Sequence, residues 1–146
     1  MKIAVLGYGT VGSGVVEVLD VNQKLIATRA KEEIEVKYVL DLRDFPGDKI
    51  QEKIVHDYEI ILNDPEIGIV VEVMGGVEPA NTFVRKALEA GKSVVTSNKA
   101  LVAKHGSALL KTAREKNVNF LFEASVGGGI PILRALGSSL TGDEIE

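Results

Sequence analysis

Five short apolar runs divide the chain, and the stretches between them carry apolar residues at three- and four-residue spacing. The first run, KIAVLG at residues 2–7, is almost wholly apolar and ends at a glycine. Lacking polar alternation, it reads as a strand covered on both faces, the central position of a parallel sheet. EVKYVLD (35–41), IGIVVEVMGG (67–76), KSVVTS (92–97) and VNFLFEAS (118–125) predict four further strands. Between the first two, Val11, Val15, Val18 and Leu19 recur at helical spacing, which predicts a helix from Thr10 into the twenties. EPANTFVRKALEAG (78–91) predicts a second helix, with Pro79 in its first turn, a stripe of Phe83, Val84, Ala87 and Leu88, and Gly91 to stop it. GSALLKTAREKN (106–117) predicts a third, capped by Ser107. In residues 43–66, DFPGDK reads as a turn or loop and DYEIILNDP as one short helix.

Strand and helix therefore alternate along the chain. Alternation of this kind requires right-handed crossovers and a parallel sheet with helices on both faces, a doubly wound α/β fold of the Rossmann type. At 146 residues the chain suffices for one such domain and leaves no room for a second of useful size. The formal charge of −4, without a run of basic residues, argues against a nucleic-acid partner. No apolar stretch reaches the roughly 18 residues that a bilayer requires, and Met1-Lys2 leads into the first strand without a signal-peptide pattern. Membrane association is not expected, and the missing signal places the chain in the cytoplasm. The absence of cysteine excludes a disulfide framework and thiolate metal sites.

In an open parallel sheet, ligands bind beyond the carboxyl ends of the strands, so the residues after each strand carry the candidate chemistry. Gly7-Tyr8-Gly9-Thr10-Val11-Gly12 is a complete G-x-G-x-x-G between strand and helix. There Gly7 permits a tight turn, Gly9 lets a pyrophosphate approach the backbone, and Gly12 lets helix and strand pack closely. The helix start presents N–H groups to the phosphates. The second strand ends in Asp41, further from the first glycine than the usual fingerprint spacing, an excess that a long first helix explains. Asp41 suits the ribose 2′-hydroxyl of NAD, and Arg43 suits the 2′-phosphate of NADP; the sequence supports either cofactor. After the third strand, Gly75 within Met74-Gly75-Gly76 offers bare backbone to a nicotinamide ribose. The fourth strand leads into Thr96-Ser97-Asn98-Lys99, which places a lysine at the mouth of the cleft to anchor nicotinamide or substrate, or to polarise a carbonyl. His56 and His105 read as solvated side chains, and Ser125 has no triad partners at motif spacing.

Taken in order, GYGTVGSGV, VVEVMGGVEPA, VVTSNKALVAKHG and FEASVGGGIPIL resemble the cofactor domain of the homoserine dehydrogenase family over essentially the whole chain. The resemblance implies NADPH- or NADH-dependent reduction of aspartate 4-semialdehyde to homoserine, in the biosynthesis of threonine, methionine and isoleucine, by a homo-oligomer. Carried over by position, Gly7, Tyr8, Gly9, Thr10, Val11 and Gly12 resemble the pyrophosphate loop, and Ser97 lies in the cofactor-binding segment that leads to Lys99. Lys99 resembles the lysine that reaches cofactor and substrate and assists catalysis. Glu123, Val126, Gly128 and Ile130 resemble the family's monovalent-cation site, with sodium held largely by backbone carbonyls that the glycines leave unobstructed. Family members are two or more times this long, and their substrate-binding and dimerising segments lie beyond the equivalent of Glu146. The expectation is a truncated piece, a cofactor domain inactive by itself. Its rivals are the cofactor domain of another amino-acid-pathway dehydrogenase, such as aspartate dehydrogenase or dihydrodipicolinate reductase, and a non-catalytic NAD(P)-binding sensor module.

Overall fold

The computed structural model describes residues 1–122. Its elements are β1 (Lys2–Leu6), α1 (Thr10–Val21), α2 (Gln23–Ala30), β2 (Glu35–Leu40), a 3-10 turn at Lys49–Lys53, β3 (Ile54–Val55), α3 (Tyr58–Leu62), β4 (Ile67–Glu72), α4 (Ala80–Glu89), β5 (Ser93–Thr96), α5 (Lys99–Glu115) and β6 (Phe120–Leu121). All pairings are parallel, and the strands lie in the order β3-β2-β1-β4-β5-β6. Strand order reverses between β1 and β4, which is the doubly wound arrangement and fixes where a ligand crevice opens.

Each face of the sheet has its own core. Ile3, Val5, Ile69 and Val71 pack with Val15, Val16 and Leu19 of α1 on one side. Ala4, Leu6, Val70 and Val94 pack with Val84 and Leu88 of α4 and Leu101 and Leu109 of α5 on the other. Coverage of both faces is why β1 and β4 read as continuous apolar runs.

Four local features differ from the sequence reading. The helix that begins at Thr10 breaks at Asn22, whose side-chain amide turns back to donate to the Val18 carbonyl at 3.1 Å, and continues as α2. Residues 54–55 form an extra edge strand, too short to produce a hydrophobic period. Pro79 is the cap of α4 rather than a residue of its first turn, and the Glu78–Pro79 peptide is cis. The third expected helix begins at Lys99, two turns before Ser107. The Asn98 carboxamide accepts from the Leu101 amide at 3.1 Å, while Leu101 shares a buried stripe with Leu109 and Ala113 that carries the helix back past Gly106. As the sequence indicated, Gly91 stops α4: at φ +80° it donates to Leu88 O while Lys92 N donates to Ala87 O, a Schellman closure. Of the fifth expected strand, Phe120 and Leu121 pair with β5, and residues 123–125 lie outside the described residues.

Candidate functional site

At the strand-order reversal, a cavity of about 480 Å³ opens beyond the carboxyl ends of β1, β2 and β4. Gly7, Tyr8 and Gly9 line it from the β1 turn, Asp41 and Arg43 from the end of β2, and Met74 from the end of β4. Thr10, Val11, Gly12, Gly75, Ser97 and Lys99 are not among its lining residues.

The three glycines of the turn do different work. Gly7 sits at φ +100° and donates to the Leu40 carbonyl at 2.8 Å, so the chain leaves the sheet abruptly while β1 stays tied to β2. A Cβ on Gly12 would lie 1.9 Å from the Gly7 carbonyl oxygen, which makes glycine obligatory where helix crosses strand. A Cβ on Gly9 would meet nothing within 4 Å. Bare backbone at Gly9 thus borders open space beside a helix start that no side chain caps, a cradle that suits a diphosphate. The Tyr8 amide is already committed to Asp41 Oδ2 at 2.9 Å, so the donors left for an anion are the amide of Gly9 and those of the first turn of α1.

At the end of β2, Asp41 and Arg43 face each other. Arg43 donates from Nε to Oδ1 and from a terminal nitrogen to Oδ2, each at 3.0 Å, and its backbone amide adds a third bond to Oδ1. Together, foremost the guanidinium, these donors hold the Asp41 carboxyl far below the usual carboxylate range. Arg43 also reaches the Tyr8 carbonyl and lies over the Phe45 ring. His56, expected to be merely solvated, lines the same cavity. Its ring nitrogens contact the Asp41 carbonyl oxygen at 2.6 Å and Asp44 Oδ1 at 2.9 Å, and the carbonyl first, the carboxylate second, raise its pKa above the ordinary histidine value. Leu42 stands 95% exposed between the two charged residues, an apolar surface facing the cavity. Tyr58 and Phe83 stack at 4.3 Å to form a further wall, and the tyrosine hydroxyl donates to the Phe83 carbonyl.

Lys99 is the first residue of α5 and is exposed. A cation at a helix N-terminus opposes the macrodipole, so local stability does not account for the placement. Ser97, half-buried, ties β5 to β4 through its amide and the Glu72 carbonyl. The residue that sequence reasoning passed over is Glu72, a fully buried carboxylate ending β4. One charged residue inside the apolar run IGIVVEV was the available signal. Among the described residues no cluster of acidic, histidine or cysteine side chains suits a metal ion. Glu123, Val126, Gly128 and Ile130, the expected cation site, lie outside the described residues.

The strand order, the glycine turn at its switch point and the acidic end of β2 together define a dinucleotide-binding α/β domain. Comparison with known proteins narrows the class. A family model described as "Homoserine dehydrogenase, NAD binding domain" matches residues 7–123, and the chain belongs to that family. The homoserine dehydrogenase of Lactococcus lactis is 44% identical over 154 residues, covering 99% of this chain and 35% of the relative. That of Pseudomonas aeruginosa is 43% identical over 146 residues, covering 99% and 34%. Among solved structures, a homoserine dehydrogenase from Thiobacillus denitrificans superposes with a TM-score of 0.82 at 42% identity, over 93% of this chain and 32% of that one. The S. aureus enzyme at pH 8.5 gives 0.79 at 41% identity, over 86% and 32%. The chain spans about a third of the length of these relatives. No helix among the described residues is long and apolar enough to cross a membrane.

Proposed function

We propose that this chain is the cofactor-binding part of a homoserine dehydrogenase, an enzyme that moves hydride between NAD(P)H and the aspartate 4-semialdehyde/homoserine pair in threonine, methionine and isoleucine biosynthesis. The working enzyme is a cytoplasmic homo-oligomer without nucleic-acid or membrane partners. The observation that carries the reading is the glycine turn at the β1/β4 switch point, whose Gly7, Tyr8 and Gly9 line the cavity and whose Gly9 leads directly into an α1 that no side chain caps, in a chain of this family.

Under this reading, Gly9, Thr10, Val11 and Gly12 hold the diphosphate through backbone amides, and Gly7 and Tyr8 shape the turn. Asp41 and Arg43 hold the adenosine ribose. A 2′-hydroxyl needs an acceptor and finds the Asp41 carboxylate; a 2′-phosphate draws the exposed guanidinium of Arg43 away from that carboxylate. Gly75 and Ser97 border the nicotinamide end, and Lys99 holds positive charge where substrate oxygen becomes alkoxide. The bound nicotinamide supplies or accepts the hydride, and the chain's own residues orient and stabilise. Glu123, Val126, Gly128 and Ile130 hold a sodium ion beside the substrate part. Residues 1–146 alone bind dinucleotide without turning substrate over.

Calorimetric titration of the chain with NADH and NADPH separately tests the reading. Binding of at least one is expected, and absence of heat with both removes it. Arg43→Ala is expected to weaken NADPH more than NADH, since only NADPH carries the phosphate. In the whole enzyme, Lys99→Ala is expected to lower kcat by roughly 10²–10³, the range for loss of one preorganised donor; undiminished turnover would remove Lys99 from the chemistry.

A further inference from the structure

Glu72 is the one fully buried carboxylate among the described residues, and it belongs to neither the cavity lining nor the motif chemistry. Its Oε2 accepts from the Thr96 hydroxyl at 2.6 Å, and its Oε1 accepts from the Met74 amide at 2.8 Å and, more weakly, from the Asn98 carboxamide at 3.4 Å. Thr96 Oγ1 accepts in turn from the Asn98 amide at 3.0 Å, and the Asn98 carboxamide also donates to the Gly76 carbonyl at 2.5 Å while its oxygen caps α5 at Leu101. The donors that meet Glu72 are all neutral. Burying a carboxylate among neutral donors is expensive, whereas Ile69, Val70 and Val71 on the same strand show that an apolar residue suits this core. Stability therefore does not explain the carboxylate, but its contacts do. It fastens two segments that enter the cleft from different strands: the β4 exit, Met74 to Gly76, and the β5 exit, whose next residue after the cap is Lys99.

We infer that Glu72 is a positioning residue, a buried anchor that sets Lys99 and the Met74–Gly76 backbone in one geometry for the nicotinamide end of the dinucleotide; the inference rests on the cofactor reading above. A glutamine here keeps the shape but has one acceptor oxygen where the carboxylate has two: its NH₂ either meets the Met74 backbone N–H, donor against donor, or donates to Thr96 Oγ1 and leaves the hydroxyl proton without the acceptor it has now. Thr96→Val removes the hydroxyl that relays Glu72 to Asn98, with little change of shape in a buried strand. Thr96→Ser retains it.

The test compares two probes on the purified chain: NADH, which fills both ends of the site, and ADP-ribose, which lacks the nicotinamide. Glu72→Gln and Thr96→Val are each expected to weaken NADH about tenfold, the scale of one charge-assisted hydrogen bond, and to leave ADP-ribose affinity unchanged. Thr96→Ser is expected to restore NADH affinity. Equal losses for both probes would make Glu72 an ordinary structural residue, and unchanged NADH affinity in Thr96→Val would remove the relay; either result overturns the inference. If the unsubstituted chain binds neither NADH nor NADPH, the cofactor reading falls and this one with it; if it binds NADPH alone, NADPH and 2′-phospho-ADP-ribose take the place of the two probes, and binding of the nicotinamide-free probe that persists while the split is absent sinks the positioning role alone.

Discussion

Gly9 and Gly12 stand three residues apart in one motif, yet substitution at each should fail differently. A Cβ at Gly12 collides with the Gly7 carbonyl, so Gly12→Ala must push helix from strand. Its expected loss is on the order of 1–3 kcal/mol, the usual result of overpacking, accompanied by loss of dinucleotide binding. Gly9→Ala meets no neighbour and is expected to melt like the unsubstituted chain while binding NADH more weakly, because the methyl group occupies the approach to the helix start. Thermal melting and NADH titration of the two variants check the contrast, and full NADH affinity in Gly9→Ala would show that the diphosphate does not pass there. The sequence made these roles legible because spacing alone encodes them. The facing of Asp41 and Arg43, the inclusion of His56 and the burial of Glu72 were not legible. Each depends on how a strand end bends or on which strand lies beside it, and neither is local information.

Among the elements, α5 shows why a cap residue is ambiguous in sequence. Asn98 and Ser107 are both good caps, and the choice is made by the apolar stripe, which includes Leu101 and so starts the helix at Lys99. Asn98→Ala is expected to cost about 0.5–2 kcal/mol as a lost cap, more if the Glu72 links fail with it. Ser107→Ala, exposed in mid-helix, should be neutral or stabilising by up to about 0.5 kcal/mol from propensity. Urea unfolding of both variants gives the comparison; a larger loss for Ser107→Ala would contradict the helix boundary. The break at Asn22 and the two-residue β3 escaped the sequence for a related reason, since a single side-chain bond or one ladder step leaves no periodic trace.

At the scale of the whole molecule, five carboxylates among the described residues are depressed, and the two most strongly shifted, Asp64 and Asp41, weigh most on stability in acid. Asp64, in the loop entering β4, accepts from Lys37 of β2 at 2.5 Å; chiefly that bond holds its pKa at about 2, against an ordinary 3.8. Asp41 is shifted the same way by Arg43. A carboxylate whose pKa is lowered by folding stabilises fully above its unfolded pKa, and that contribution is lost as pH falls through the folded one. Stability is therefore expected to decline from about pH 4 toward pH 2. Asp64→Asn should be less stable than the unsubstituted chain near pH 6 and approach it at pH 2, as read from urea midpoints; a gap that stays constant across that range would assign the loss elsewhere. At this scale the alternation of elements in the sequence was sufficient for the doubly wound sheet, because handedness leaves few ways to connect parallel strands. The order of the strands has one more consequence, in the making of the chain. β1 is made before β2 and β4 but takes its place between them, and the residues of β4 are Ile67–Glu72. At synthesis rates of about 5–20 residues per second, a strand whose Ile3, Ala4, Val5 and Leu6 end up fully buried waits several seconds for its second neighbour, an interval in which a nascent-chain chaperone has its clearest opportunity to bind.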